Sequence, residues 1–196
     1  IGTYNVLNAS KINKISKVII TSTSEVYGTA KSIPILEDHS LNAQSPYAAS
    51  KIGADQLALS FYRSYNVPVT IIRPFNTFGP RQSARAIIPT IITQILRNNK
   101  NIKLGNLSPT RDFTYVEDTA DSFVQTIKNR NITGETINIG NNFEVSIKDI
   151  VNIMRKDFGY NFNIIEDPKR IRVKQSEVFR LVASNNKAKK ILKWTP

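Results

Sequence analysis

Cysteine is absent from the 196 residues, which excludes disulfides, thiolate nucleophiles and Cys-based zinc sites. Histidine is almost absent: His39 stands alone, so a His-cluster metal site is excluded and no metal is expected. It lies in the polar stretch Glu37-Asp38-His39-Ser40 and is expected to be solvated. Any catalysis must therefore use Tyr, Lys, Ser, Thr, Asp, Glu or Arg. No apolar run approaches the roughly 20 residues of a membrane-spanning helix. The start, Ile1-Gly2-Thr3-Tyr4-Asn5-Val6-Leu7, has neither the basic region nor the apolar stretch of a signal peptide. A cytoplasmic location without membrane association is the expectation. An initiator Met is also missing, so Ile1 is not expected to be the first residue translated.

Acidic residues are scarce: 15 Asp and Glu face 27 Lys and Arg, for a formal net charge of +12. Such an imbalance suits a polyanionic partner. There is no run of five or more basic residues, nor do aromatics alternate with basics, so nucleic acid is not expected. A few arginines holding a small phosphate ligand fit better. Hydrophobic content of 40% and charged content of 21% are ordinary for a soluble globular chain.

Apolar spacing predicts a helix over residues 1–9, a buried strand over 17–22 and a long helix opened by Ser45-Pro46 and running to Tyr65. Ser before Pro is a helix-start signature, because Pro is tolerated at the first helical position. Ala49, Ile52, Leu57, Leu59, Phe61 and Tyr62 are its expected buried positions. A second buried strand covers 69–73 and a third 135–139. Further helices are expected over 86–97, 115–128, 146–158 and 185–192, with a capping box at Ser146-Ile147-Lys148-Asp149. Strands alternating with helices imply βαβ units and a parallel sheet. Two strands and a short third make an under-supplied sheet.

Three segments carry the chemistry: Thr21-Ser22-Thr23-Ser24-Glu25-Val26-Tyr27-Gly28, Tyr47-Ala48-Ala49-Ser50-Lys51, and Arg73-Pro74-Phe75-Asn76-Thr77-Phe78-Gly79-Pro80. The first and third leave the C-terminal ends of predicted parallel strands, where open α/β sheets bind ligands. The second places Tyr47 and Lys51 four residues apart, on one helix face. A phenol titrates near about 10 and is a poor base at neutral pH, whereas a nearby ammonium favours its ionised form. A strand-end hydroxyl can hydrogen-bond the reacting oxygen as its proton leaves. Such a trio suits removal of a hydroxyl proton while a cofactor takes the hydride.

In that order the segments resemble the NAD-dependent epimerase/dehydratase branch of the extended short-chain dehydrogenases, most closely the nucleotide-sugar 4,6-dehydratases. Ser45-Pro46-Tyr47, Gly79-Pro80-Arg81-Gln82-Ser83-Ala84-Arg85 and Leu107-Ser108-Pro109-Thr110-Arg111-Asp112-Phe113 are similar to the UDP-N-acetylglucosamine 4,6-dehydratases of legionaminic-type acid synthesis, a route to cell-surface polysaccharide. The resemblance implies Tyr47 as base on the C4 hydroxyl and Lys51 as its activator and a ribose contact. Thr23 would share the hydrogen bond at the C4 oxygen, and Glu25 would remove the C5 proton. Relatives carry Asp beside this Glu to protonate the departing oxygen; here Ser24 stands there, so Glu25 would serve as base and acid. Thr21, Ser22, Tyr47, Lys51 and Pro74 are the implied NAD contacts. Asn76, Arg81, Pro89, Arg111, Arg172 and Glu177 are the implied nucleotide-sugar contacts.

The implied fold is α/β: an incomplete Rossmann-type doubly wound parallel sheet, lacking its first strands and Gly-rich loop, with a small C-terminal substrate lobe. Residues 1–78 and 113–139 would belong to the NAD-binding domain, and 79–112 and 140–196 to the substrate lobe. The family's Gly-x-x-Gly-x-x-Gly, which seats a pyrophosphate on a helix N-terminus, has no match in the sequence. The chain is thus expected to be an N-terminally truncated piece. A UDP-glucuronate decarboxylase, a C4 epimerase, or a non-catalytic truncated or split remnant that at most binds nucleotide-sugar are the alternatives. The partner is expected to be a second copy, through the helices over 1–10 and 47–65, or a separate N-terminal fragment. A strand without its neighbour exposes backbone groups and apolar surface. The isolated chain should therefore be poorly soluble or partner-dependent; analytical ultracentrifugation showing a soluble monomer with a sharp cooperative melt would contradict this.

Overall fold

A computed structural model of the chain describes residues 1–171 and 173–196, with the backbone alone at Lys174. In order the elements are α1 (Gly2–Ile12), β1 (Val18–Thr21), α2 (Pro46–Tyr65), β2 (Val69–Pro74), β3 (Asn76–Phe78), α3 (Ile87–Leu96), β4 (Asn101–Leu104) and β5 (Thr110–Arg111). There follow β6 (Phe113–Tyr115), α4 (Val116–Lys128), β7 (Thr136–Ile139), β8 (Val145–Ser146), α5 (Ile147–Phe158), β9 (Asn163–Glu166) and β10 (Arg180–Leu181). Among the described residues no helix is long and apolar enough to cross a membrane.

The main sheet has the order β1-β2-β7, all parallel, with Val18 beside Val69 and Ile71 beside Thr136. β1 and β2 are built from β-branched residues that pack well on a pleated surface buried on both sides. On one face α1 and α2 close over Leu7, Val18, Ala58, Phe61, Val69 and Ile71. On the other face Ile72, Ile137 and Ile139 pack with Leu192 and Trp194, whose indole N–H donates to the Asp118 carbonyl in α4 at 2.9 Å. Lys17, just before β1, donates to the Thr126 carbonyl at 2.6 Å and also to that of Asn129. Its ammonium thus satisfies carbonyls that the C-terminus of α4 leaves unpaired.

A second core joins α3 and α5 to β4 and β9 through Ile91, Ile102, Leu104, Val151 and Met154. These two strands pair in parallel, Ile102 beside Ile164. Two further small sheets pair β3 with β6, and set β5 between β10 and β8.

Several short strands have no counterpart in the periodicity. β3, β5, β6, β8 and β10 hold only two or three residues each, too few for an alternation to register. In α2 the buried residues are Ala48, Asp55, Ala58 and Phe61, whereas Ala49 is exposed. The N-terminal half of the helix meets the sheet along small and polar residues, and its C-terminal half buries Phe61. The C-terminal helix forms over 186–192, its last five residues, Ala188–Leu192, as a π-helical turn. Asn185 is instead buried and donates its side-chain amide to the Gly140 carbonyl at 2.9 Å. His39 is not simply solvated: its ring stands edge-on to Tyr27, 5.6 Å between centroids, and Nε2 accepts the Lys31 N–H.

The capping box forms as expected. Ser146 Oγ accepts from the Asp149 N–H at 3.0 Å, and Asp149 Oδ2 accepts from the Ser146 N–H at 3.2 Å. Ser146→Ala should lower stability by about 1 kcal/mol in urea denaturation; a change near zero would mean that packing alone holds this helix start.

Candidate active site

β1 delivers the first hydroxyl-rich segment to the C-terminal edge of the sheet. Beyond Thr21 the chain makes a 3-10 turn over Ser24–Tyr27, capped by Thr23, whose Oγ1 accepts the Glu25 N–H at 3.2 Å. That bond uses an oxygen lone pair, so the Thr23 O–H remains a donor. The turn ends at Gly28 with φ +64°, where a Cβ would lie 2.5 Å from the Asn42 carbonyl oxygen. Only glycine fits that close approach.

α2 supplies the second segment. Ser45 caps it by accepting the Ala48 N–H at 3.1 Å, and Pro46 occupies the first helical position. Tyr47 therefore stands at the mouth of the helix, 50% exposed. Lys51, one turn on, has its Nζ 6.0 Å from the Tyr47 ring centroid and donates to the Thr21 carbonyl at 3.0 Å. The ammonium is thus anchored to the strand end beneath the phenol. Glu25 and Tyr47 line one cavity of about 440 Å³, together with Gln44, Ser45, Pro46 and Ser176. A carboxylate and a phenol on one cavity can exchange protons with one small molecule.

A buried polar network lies directly behind. The Asp55 carboxylate, wholly buried one turn beyond Lys51, accepts from Ser22 Oγ at 2.9 Å and from Arg73 Nε at 3.0 Å. Arg73 Nη1 donates to the Tyr27 hydroxyl at 2.7 Å, and that hydroxyl donates to Asn138 Oδ1 at 2.7 Å. Burial raises the Asp55 pKa above the usual carboxylate range, against the pull of Arg73 and the Ser22 hydrogen bond. Burial likewise raises that of Tyr27, again against Arg73. Ser22 faces this core, while Thr21 is exposed and Pro74 ends β2 at the same edge.

A second cavity, of about 310 Å³, lies among α3, β4, β5 and β6. Asn76, Arg111 and Glu177 all line it, as do Gln82, Arg85 and Arg170. Three guanidiniums line it; Arg111 and Arg170 pair with Glu177 and Asp167, and Arg85 adds a further positive charge. Arg111 pairs with Glu177 at 3.7 Å and donates to the Thr110 carbonyl at 2.8 Å. Beside it, the buried Asp112 carboxylate accepts main-chain N–H groups of Asn141, Asn142 and Ala183 at 2.7–3.0 Å. Burial raises its pKa while those amides lower it.

Two expected contacts stand apart from this cavity. Arg81 has φ +66° and is exposed, turned outward after Gly79. Gln82 points in instead, its amide donating to the Thr77 carbonyl at 2.8 Å. Pro89 sits in the first turn of α3, while its neighbours Ile88 and Thr90 form the cavity wall. Arg172 lies outside the described residues.

The whole chain, residues 1–196, matches the family model described as GDP-mannose 4,6 dehydratase. The chain belongs to that family. It is 30% identical to a putative UDP-glucose 4-epimerase of Methanocaldococcus jannaschii over its full length, covering 63% of that protein. It is 36% identical to a dTDP-D-glucose 4,6-dehydratase of Dictyostelium discoideum over 76% of the chain and 37% of that protein. The crystal structure of a UDP-glucuronic acid 4-epimerase from Bacillus cereus, with UDP-glucuronic acid and NAD, superimposes with a TM-score of 0.91 at 32% identity. That match covers 99% of this chain and 60% of the epimerase. The chain thus spans between about a third and two thirds of the relatives it matches. Its Rossmann-type α/β architecture is that of NAD-dependent nucleotide-sugar epimerases and dehydratases.

Sequence reasoning missed Asp55 and Gln44. A carboxylate spaced four residues after Lys51, on the face that meets the sheet, was a readable signal for Asp55. Removing it would leave the Arg73 charge buried and unpaired. Asp55→Ala should therefore cost about 3–5 kcal/mol in chemical denaturation. The double substitution Asp55→Leu with Arg73→Met should cost less than either single change. Equal or additive losses would show that the pair does not act as a unit.

Proposed function

We propose that the chain carries the proton-transfer and diphosphate-binding parts of an NAD-dependent nucleotide-sugar 4,6-dehydratase acting on a UDP-N-acetylhexosamine. The observation that carries this reading is Glu25 and Tyr47 on one cavity, joined through the adjacent residues Ser176 and Glu177 to a cavity with three arginines. Tyr47 takes the proton of the C4 hydroxyl, with Thr23 hydrogen-bonded to the same oxygen. Lys51, held by the Thr21 carbonyl, keeps a positive charge beneath the phenol. Glu25 removes the C5 proton and returns one to the departing C6 oxygen, since its neighbour is Ser24 and not a second carboxylate. Arg111, with Asn76 and Arg85 beside it, binds the diphosphate, and Glu177 orients the Arg111 guanidinium.

The strand-end residues fit the nicotinamide side of NAD: Thr21 is exposed, and Tyr47 and Lys51 share a face beside Pro74. Bound there, NAD supplies the hydride acceptor for C4 and the hydride returned to C6. The Gly-rich element that would seat the pyrophosphate is not among the 196 residues. The face of α1 and α2 exposes Tyr4, Val6, Ile12 and Tyr65, which supports pairing with a second copy.

A C4 epimerase would use Tyr47 and Thr23 without Glu25, so one substitution separates the readings. In deuterium oxide, the longest native form of the protein with NAD and UDP-N-acetylglucosamine should incorporate deuterium at C5. Glu25→Gln should abolish that exchange by a factor of about 10² or more while sparing C4 oxidation, followed as NADH absorbance. Unchanged C5 exchange in Glu25→Gln would overturn the role of Glu25, whereas no C5 exchange in the wild type with turnover to the C4 epimer would overturn the dehydratase assignment.

A further inference from the structure

Gln44 is not used by the proton transfers described above, yet it bonds the segments that border both cavities. It lines the Glu25–Tyr47 cavity immediately before the Ser45 cap of α2. Its Oε1 accepts the Thr29 N–H just beyond the Glu25 turn. Its Nε2 donates to the Gln175 carbonyl at 3.2 Å and to the Glu177 carbonyl at 3.1 Å. Gln175, Ser176 and Glu177 form a strap between the two cavities, with Ser176 on the wall of one and Glu177 paired with Arg111 in the other. Gly28 leaves no slack at the junction, since a Cβ there would lie 2.7 Å from Gln44 Oε1. The strap is sewn to the same loop again by the Phe179 N–H on Thr29 Oγ1 at 3.2 Å and the Ala30 N–H on the Arg180 carbonyl at 3.1 Å.

We propose that Gln44 is a positioning residue that couples occupancy of the arginine-lined cavity to the geometry of the Glu25–Tyr47 cavity. A side-chain amide suits the task because it carries an acceptor and two donors in one plane. An anion drawn to Arg111 competes with Glu177 for its guanidinium. Any resulting shift of the strap reaches Gln44 through two carbonyls and the Glu25 turn through the Thr29 amide. Coupling of this kind is reciprocal in free energy. The inference rests on the reading of the arginine-lined cavity as a nucleotide-diphosphate site.

The test uses the intact chain with UDP as probe, followed by calorimetry and by amide hydrogen exchange at Thr29. In the wild type, UDP should bind and slow exchange at Thr29, although Thr29 does not line the UDP cavity. Gln44→Glu keeps the acceptor for Thr29 but sets a carboxylate oxygen against two carbonyls. It should weaken UDP binding by about tenfold and abolish the UDP-dependent protection of Thr29, with far-UV circular dichroism unchanged. Gln44→Met, of similar length and without polar atoms, is read the same way should Gln44→Glu fail to fold. Wild-type UDP affinity with undiminished Thr29 protection in the variant overturns the role of Gln44 alone. Absence of UDP binding by the wild-type chain overturns the diphosphate reading, and this inference with it.

Discussion

The buried ion pair between Asp55 and Arg73 is the constraint around which the rest of the site is arranged. Asp55 belongs to α2, Arg73 to β2, and Ser22 to the segment leaving β1, so one carboxylate fixes the helix against two strand ends. Burying two charges is costly unless their geometry is good and their remaining lone pairs and protons are matched. Arg73 spreads its donors over Asp55 and Tyr27, and the Tyr27 hydroxyl donates in turn to Asn138 in β7, while among the described residues Asp55 Oδ1 has no hydrogen-bond partner. Three parallel strands and one helix are thereby held in a single register at the edge that carries the proposed site.

That register sets where Lys51 and Tyr47 lie. Both share a helix with Asp55, one and two turns towards its N-terminus, so anchoring Asp55 fixes their height above the strand ends. Lys51 reaches the Thr21 carbonyl from that position, and Tyr47 stands over the cavity that Glu25 enters from its 3-10 turn. The small residues Ala48 and Ala58 let the helix approach the sheet closely enough for this. Packing and chemistry depend on the same helix face.

The surroundings of the arginine-lined cavity are organised by a different device. Asp112 gathers main-chain amides from two later segments, and this draws β5, the 140–143 loop and the approach to Ser184 together beside Arg111. Gly140 allows it, since a Cβ there would meet Asp112 Oδ2 at 2.8 Å. The arginine-lined cavity is a product of long-range pairing among very short strands, each too weak to stand without the others.

By itself the sequence determined the parallel α/β class, the long helix opened by Ser45 and Pro46, the capping box at Ser146, and the placing of Tyr47 and Lys51 on one helix face. These are local properties: period, capping chemistry and residue spacing are written within a few turns of chain. Only the tertiary structure decided that Ser22 faces inward to Asp55, that Arg81 turns outward while Gln82 and Arg85 line the cavity, and that Gln44 bridges to residues 175 and 177. The hydrogen bonds from Ser22 to Asp55 and from Gln44 to Glu177 join groups 33 and 133 positions apart. No local pattern records such a pairing, because it is selected by burial and by the need to satisfy every hydrogen-bonding group once the chain has closed on itself.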